Sequence, residues 1–310
     1  MKEKILHIPS TQITIRKLLL EEEFEAAFAI QSRLPEFCKV GLIPSYYMKL
    51  VGSRGGLVLG CFDKNQLVGY NFAFPCVSSS LGIYLFADSM GFLPAYQRKH
   101  LGYYVKKLQY SLAITMRIRY IVWTYDPLKG VNANINIRKL GARIVQYLPE
   151  QYKTMGTTCD LAKNRLQKTV PEDRFEVCWD VLSDEVKRRM ENPYCSSRDE
   201  IDQIPIINPT LQMEVARHQT GLCLKEKPDL MQKIASIQYD YQSPVLRFEI
   251  PINYNDIEER EPSLAIDWRI KSRQVFQKYF QNSYQIEEFC HQKKTRRNFY
   301  ILKKVMDPER

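Results

Sequence analysis

The residues best suited to chemistry in this chain lie between Gly91 and Leu112, G-F-L-P-A-Y-Q-R-K-H-L-G-Y-Y-V-K-K-L-Q-Y-S-L. From Gln97 to Gly102 this stretch combines two cations, Arg98 and Lys99, an imidazole, His100, and a residue with no side chain, Gly102. Such a set suits an anion, phosphate above all, if backbone N–H groups converge on the same spot. Just upstream, Asp88 is the only carboxylate between Leu81 and Gly102. Read as a residue it is a strand-end Asp bonded to a neighbouring backbone N–H. His100 is a candidate base, but it stands where an anion is expected, and hydrogen bonding to that anion or pointing outward fits it better.

The elements that must position these groups follow from periodicity. Ile83 to Ala87 is an apolar run that continues as a strand to Phe92, and Leu101, Val105, Leu108 and Leu112 form one face of a helix reaching about Met116. A strand therefore turns into a helix at Gln97–Gly102, where unpaired N–H groups and the positive dipole end converge. Ahead of it come a strand over 13–18, a helix over Glu21–Arg33, and a second helix after Pro44 that closes at Gly55-Gly56. Strands at Leu57–Phe62 and Leu67–Phe74 follow, joined by a D-K-N-Q turn. After it, Tyr120–Tyr125 is apolar on both faces, as a central strand should be, and Asp126-Pro127 stops it. A short helix over Ala133–Leu140 ends at Gly141, and Ala142–Tyr147 pairs with Phe175–Val181. Residues 183–243 are the least regular, with a capped helix from Ser183 to Met190, a loop over Asn192–Ile207 and a short helix at Leu230–Ser236. Beyond Pro244 come strands at Val245–Ile250, Tyr284–Phe289 and Phe299–Leu302, and a helix over Ser263–Phe280. The pattern predicts an α/β chain of the α+β type: one domain over 1–182, an irregular linker over 183–243, and a C-terminal α+β extension over 244–310.

At 310 residues with 45% apolar and 26% charged residues, the chain can build a substantial core. Its net charge of +10 is spread along the whole length without a nucleic-acid motif, so nucleic acid is not an expected partner and the excess reads as solvated surface. Eight cysteines without a C-x-x-C pair, and four histidines away from metal-ligand spacing, predict reduced thiols and no metal. With no apolar leader and no run of about 18 apolar residues, neither export nor a membrane is expected, and the chain reads as cytoplasmic.

The spacing Gln97-x-x-His100-x-Gly102 resembles the acyl-CoA signature of the GNAT acyltransferases, Q/R-x-x-G-x-G/A, with His100 in place of the first glycine. The run W-T-Y-D-P-L-K-G-V-N-A-N-I-N-I-R-K-L-G-A, Trp123 to Ala142, resembles a branch of predicted acyltransferases with the pattern W-T-[FY]-D-P-L-x-x-x-N-A-x-x-N-x-x-K-L-G-A. Tyr147-Leu148-Pro149, Pro171-x-Asp173-Arg174, E-I-P at 249–251 and L-A-I-D-W-R-I-K-S-R at 264–273 resemble the same branch. The resemblance implies a GNAT fold with a mixed, mostly antiparallel sheet over 13–182. It also implies acetyl-CoA or another acyl-CoA as co-substrate, and direct acyl transfer, acetyl or succinyl, to a small amine or amino acid. A homodimer is compatible with it.

It also implies roles. N–H groups at Phe92 and Leu93 would meet the thioester oxygen, a form of oxyanion stabilisation. Gln97, Arg98, Lys99, His100, Leu101, Gly102 and Tyr103 would wrap the pyrophosphate, and Gly102 would let it approach the backbone. Asn132 aligns with an asparagine that contacts the CoA arm, its alternative being a helix N-cap. Asp88 takes the place of the general base, made more effective by burial, because an amine such as lysine, pKa ~10.4, is mostly protonated near neutrality. Ile137 stands where many relatives carry the tyrosine that protonates the departing thiolate. A thiol of pKa ~8.5 leaves tolerably without it, and Tyr125, Tyr147 or Tyr152 are its candidate substitutes. On the substrate side the resemblance groups Trp123 and Asp126 with Arg269 and Arg273, a pair one helical turn apart that suits a carboxylate. The alternative for that pair is a solvated helix face with Trp268 in the core. Two other function classes compete: a non-catalytic acyl-CoA-binding module, and an RNA-binding or RNA-modifying protein.

Overall fold

The computed structural model describes residues 4–9, 11–34, 41–151, 170–192, 201–215, 229–292 and 294–305. Tyr152 and Cys38, Cys159, Cys195 and Cys223 lie outside them. The chain divides into two compact units, one of residues 1–124, 152–169 and 176–192, the other of 125–151, 170–175 and 193–310. Residues 183–243 are thus split between the two.

The first unit is a twisted sheet with helices on both faces. Its strands are β1 (Leu6–His7), β2 (Ile13–Lys17), β3 (Leu57–Asp63), β4 (Gln66–Ser78), β5 (Gly82–Phe92), β6 (Tyr120–Tyr125) and β8 (Arg174–Asp180), adjacent in that order. β1 to β5 pair antiparallel and β5 pairs parallel with β6, the mixed sheet expected. Helices α1 (Glu21–Arg33) and α2 (Ser45–Ser53) cover one face, where Phe24, Ala27, Ile30 and Met48 meet Val58, Phe62, Tyr70 and Phe72. Glu23 closes the start of α1 by accepting the Leu19 and Leu20 N–H groups at 2.7 and 3.2 Å. Asn71, between Tyr70 and Phe72, points to the opposite face, where α3 (Leu101–Thr115) buries the predicted Leu101, Val105, Leu108 and Leu112. Helix α5 (Asp184–Glu191) is capped by Ser183 Oγ, which accepts the Val186 N–H.

The second unit holds a three-stranded antiparallel sheet, β11 (Val245–Ile250), β13 (Arg297–Lys304) and β12 (Tyr284–Gln292), together with β7 (Arg143–Leu148), α6 (Tyr254–Arg260) and α7 (Pro262–Gln281). Phe276 of α7 is fully buried, with ring centroids of Phe175 and Phe248 at 4.8 and 5.0 Å. Two expectations are corrected here. Leu230–Ser236, read as a helix, is the strand β10 (Asp229–Ile234), antiparallel to β9 (Thr210–Val215), because a ladder of six residue pairs supplies what a six-residue helix has to find in its own turns. The short helix after the D-P-L segment is one α-turn, α4 (Gly130–Ala133), running into a π-helix over Asn134–Lys139. No helix among the described residues is long and apolar enough to cross a membrane.

Candidate active site

The turn after β5 is tied down from three sides. The Leu93 N–H donates to Val68 O at 2.9 Å, Gln97 Nε2 donates to Phe92 O at 3.2 Å, and the Tyr96 hydroxyl donates to Asp63 Oδ2 at 2.7 Å. Leu93, expected to offer its N–H to a thioester oxygen, therefore spends it on the sheet. Gln97, Arg98, Lys99 and His100 are exposed, Tyr103 is half-buried, and Leu101 is a core anchor. Arg98 and His100 adopt left-handed backbone, φ 61° and 60°, with His100 as the N-cap of α3. That conformation is the reason a glycine suits this position, and His tolerates it better than most side chains. Gly102 is buried, and a Cβ there would meet Met90 Cε at 3.2 Å. A side chain there would crowd Met90 of β5 beneath the helix. From the left-handed geometry, His100→Gly is expected to keep stability. His100→Val, β-branched at positive φ, should lose about 1–2 kcal/mol in urea unfolding.

Beside this turn the sheet opens. The parallel ladder joins Tyr84–Phe86 to Tyr120–Val122 and stops there, although both strands run on. On its other edge β5 stays paired with β4 as far as Phe92, with one irregularity: Phe72 pairs with Ser89 and Ala73 with Ala87, so Asp88 is the extra residue of a β-bulge. Bulges re-aim side chains. Asp88 is exposed, contrary to the expectation of burial, and it lines a cavity of about 620 Å3 with Arg54, Tyr46, Tyr47, Phe72 and Phe74. The rings of Phe72 and Phe74 lie 5.8 Å apart, and those of Tyr46 and Tyr47 meet edge to face at 5.3 Å. The Ser89 hydroxyl next in sequence is buried with no hydrogen-bond partner among the described residues. An opened strand pair, an orphaned hydroxyl and an exposed left-handed turn at the end of one strand fit a long thioester carrying a pyrophosphate.

On the opposite face of the sheet, Trp123 is buried, and Lys106 Nζ sits 3.6 Å from its ring centroid. Lys106 donates to Gln109 Oε1 at 3.0 Å, Gln109 Nε2 to Asn71 Oδ1 at 3.1 Å, and Asn71 Nδ2 to Ser89 O at 3.1 Å. Trp123, placed on the substrate side by resemblance, is thus a core ring under a buried amine and edge to face with Trp179. Burial pushes the Lys106 ammonium down to about 7. An unfolded lysine titrates near ~10.4, so the unfolded chain holds more protons between the two values and stability rises with pH across that window. The pH dependence of the urea midpoint between pH 7 and 10 should flatten in Lys106→Met relative to the wild-type chain.

The remaining candidates belong to the second unit. Tyr125 is buried, with its hydroxyl 3.2 Å from that of Tyr300, which in turn donates to Pro127 O at 2.8 Å. Burial raises the pKa of Tyr125 further, so its proton stays in the core, and it makes a poor substitute for the missing acid. The Tyr147 hydroxyl is likewise engaged, donating to Asp173. Asn132 is not an N-cap: Lys129 is, and the Asn132 N–H donates to Lys129 O at 2.9 Å inside the helical turn. Ile137 is buried, a core position of the π-helix.

Arg269 and Arg273 do grip carboxylates, but carboxylates of their own chain. Arg269, fully buried, holds Asp126 through two bonds of 2.8 and 2.7 Å. Arg273 holds Asp173 at 3.1 and 2.7 Å and Glu150 at 2.8 Å. These bonds correct both the substrate-clamp and the solvated-face readings; Trp268, fully buried with Nε1 donating to Gln232 O, is core as its alternative reading had it. The cavity itself was missed, since its walls come from segments 42–54 and 72–75 that carry no motif.

No family model matches the chain, and no curated protein sequence matches it. Among solved structures it is similar to the ribosomal-protein-S18-alanine N-acetyltransferase from Escherichia coli, at 12% identity over 60% of this chain and 97% of that one, TM-score 0.41. It is also similar to an N-acetyltransferase from Staphylococcus aureus Mu50, at 10% identity over 55% and 99%, TM-score 0.43. A third similar structure is the NatC complex bound to Gag peptide and CoA, at 11% identity over 55% and 99%, TM-score 0.43.

Proposed function

We propose that this chain is an acyl-CoA-dependent N-acyltransferase, with an amine or amino acid as acceptor and acetyl or succinyl as the acyl group. One observation carries the reading: β5 leaves its parallel neighbour after Phe86, bulges at Asp88 toward an apolar cavity, and ends in an exposed left-handed turn at the start of α3. When bound, acyl-CoA supplies the thioester that donates the acyl group. The chain's own residues do the rest. The turn from Gln97 to Tyr103 holds the pyrophosphate through helix-start N–H groups, with Arg98 and Lys99 adding charge. The Phe92 end of β5 orients the thioester carbonyl, and Asp88 takes a proton from the acceptor ammonium, directly or through one water. With Tyr125 and Tyr147 committed elsewhere, the thiolate takes its proton from solvent, which its pKa near ~8.5 permits. A cytoplasmic setting fits such a co-substrate. The test is mass-spectrometric screening of pooled amines with acetyl-CoA and with succinyl-CoA. Acylated product from either donor supports the reading. CoA binding without any product would mark a binding module instead, and absence of CoA binding would remove the reading altogether.

A further inference from the structure

Among the described residues two charged side chains, one of each sign, line the cavity: Asp88 and Arg54. The other described lining residues are apolar or aromatic, and Tyr46, Tyr47 and Leu42 leave 65%, 50% and 39% of their surface exposed at its rim. Arg54 is the C-cap of α2, where its N–H donates to Val51 O at 3.0 Å and its charge suits the negative helix end. Among the described residues its guanidinium has no carboxylate partner, unlike Arg269 and Arg273, each of which grips an acidic side chain of its own chain.

The geometry points to an acceptor that is a zwitterion with an apolar body, its ammonium held at Asp88 and its carboxylate read by Arg54. This rests on the acyl-transfer reading and narrows it. A small polar amine would leave the aromatic walls wet. A dicarboxylic amino acid would bring a second negative charge with no second cation among the described lining residues, and a diamine would bring a second positive charge with no second carboxylate among them. An amino acid with an aromatic or branched aliphatic side chain satisfies both charges and covers the rings, and about 620 Å3 is ample for one. Arg54 is then a specificity-determining residue: it selects for the carboxylate without touching the acyl donor.

The experiment compares matched pairs that differ only in the carboxylate, phenylalanine against 2-phenylethylamine and leucine against isopentylamine, with glutamate and lysine as polar controls. Binding to the CoA-loaded chain is read by calorimetry, and turnover with acetyl-CoA and succinyl-CoA by mass spectrometry, for the wild-type chain and for Arg54→Ala and Arg54→Lys. The expected result is that each apolar amino acid binds roughly 10-fold or more tightly than its decarboxylated partner, the scale of one charge-assisted contact. Arg54→Ala should erase that difference, Arg54→Lys restore part of it, and CoA affinity stay unchanged in both. Equal affinity within the pairs, a preference for glutamate or lysine, no binding of any of these compounds, or a preference indifferent to Arg54→Ala would overturn the inference. Carboxylate-dependent binding without turnover would support Arg54 and Asp88 as a zwitterion-binding site while overturning both its role as an acceptor site and the acyl-transfer reading. Turnover of other amines alone would overturn this inference and leave the acyl-transfer reading standing.

Discussion

On the proposed reading, Asp88→Asn should lower turnover by roughly 10²–10⁴-fold, the range lost when a positioned base is removed, while CoA affinity and the urea midpoint stay where they were. The asparagine keeps the size and much of the hydrogen bonding of the carboxylate, and the bulge is held by the β4–β5 ladder on either side, so the backbone has no reason to move. What the substitution removes is the proposed proton acceptor. The variant's residual rate should therefore climb with pH for as long as the fraction of unprotonated acceptor rises, whereas the wild-type rate levels off earlier because Asp88 takes the proton. Stopped-time product assays across pH 6 to 10 separate the two profiles. Unchanged turnover with superimposable profiles would leave Asp88 as a structural residue of the bulge.

The part of this site that could be read in the sequence is the part made by contiguous residues. Helical spacing from Leu101 to Leu112 fixes which face of α3 is buried, and the preceding apolar run fixes a strand, so the turn between them has one place to be. Even there, side-chain logic was incomplete. The missing Cβ of Gly102 faces Met90, a direction that depends on how the helix lies over β5. The bulge at Asp88 leaves no trace in the alternation of residues, since it is a property of pairing with β4. Ion pairs were the least legible. Asp126 and Arg269 are 143 positions apart, and Asp173 and Arg273 are 100, so a motif scan finds four charged residues and no statement that they cancel one another. Charge balance was the available signal: two arginines one turn apart are as well matched by two acidic positions of the same motif set as by a substrate.

Arg269→Ala should cost the fold about 3–5 kcal/mol, because it strands a buried carboxylate. Asp126 is 5% exposed at its side chain and Arg269 not at all. Burial pushes the Asp126 carboxyl up, but the Arg269 charge and its two hydrogen bonds, helped by Lys129 and the Leu128 N–H, overcome this and hold it at about 2. An unfolded Asp titrates near ~3.9. The pair's contribution is therefore fully present above about pH 4 and is lost as pH falls through the folded value, so wild-type stability declines on acidification in that window. In Arg269→Ala the sign reverses for this residue. Without its partner the buried Asp126 prefers its proton, and protonation, favoured in the folded state, recovers part of the lost stability as pH falls from 7 toward 5. Urea midpoints measured from pH 7 down to pH 3 distinguish this from a simple packing loss, which would lower the whole curve evenly. Arg269→Met combined with Asp126→Leu provides the control, since replacing both charges by apolar groups of similar size removes the stranded carboxylate and should return most of the stability. If the double variant is no better than Arg269→Ala, the loss belongs to the Tyr254 ring, 5.0 Å from the guanidinium carbon, and to the other neighbours of the arginine, and the ion pair is incidental.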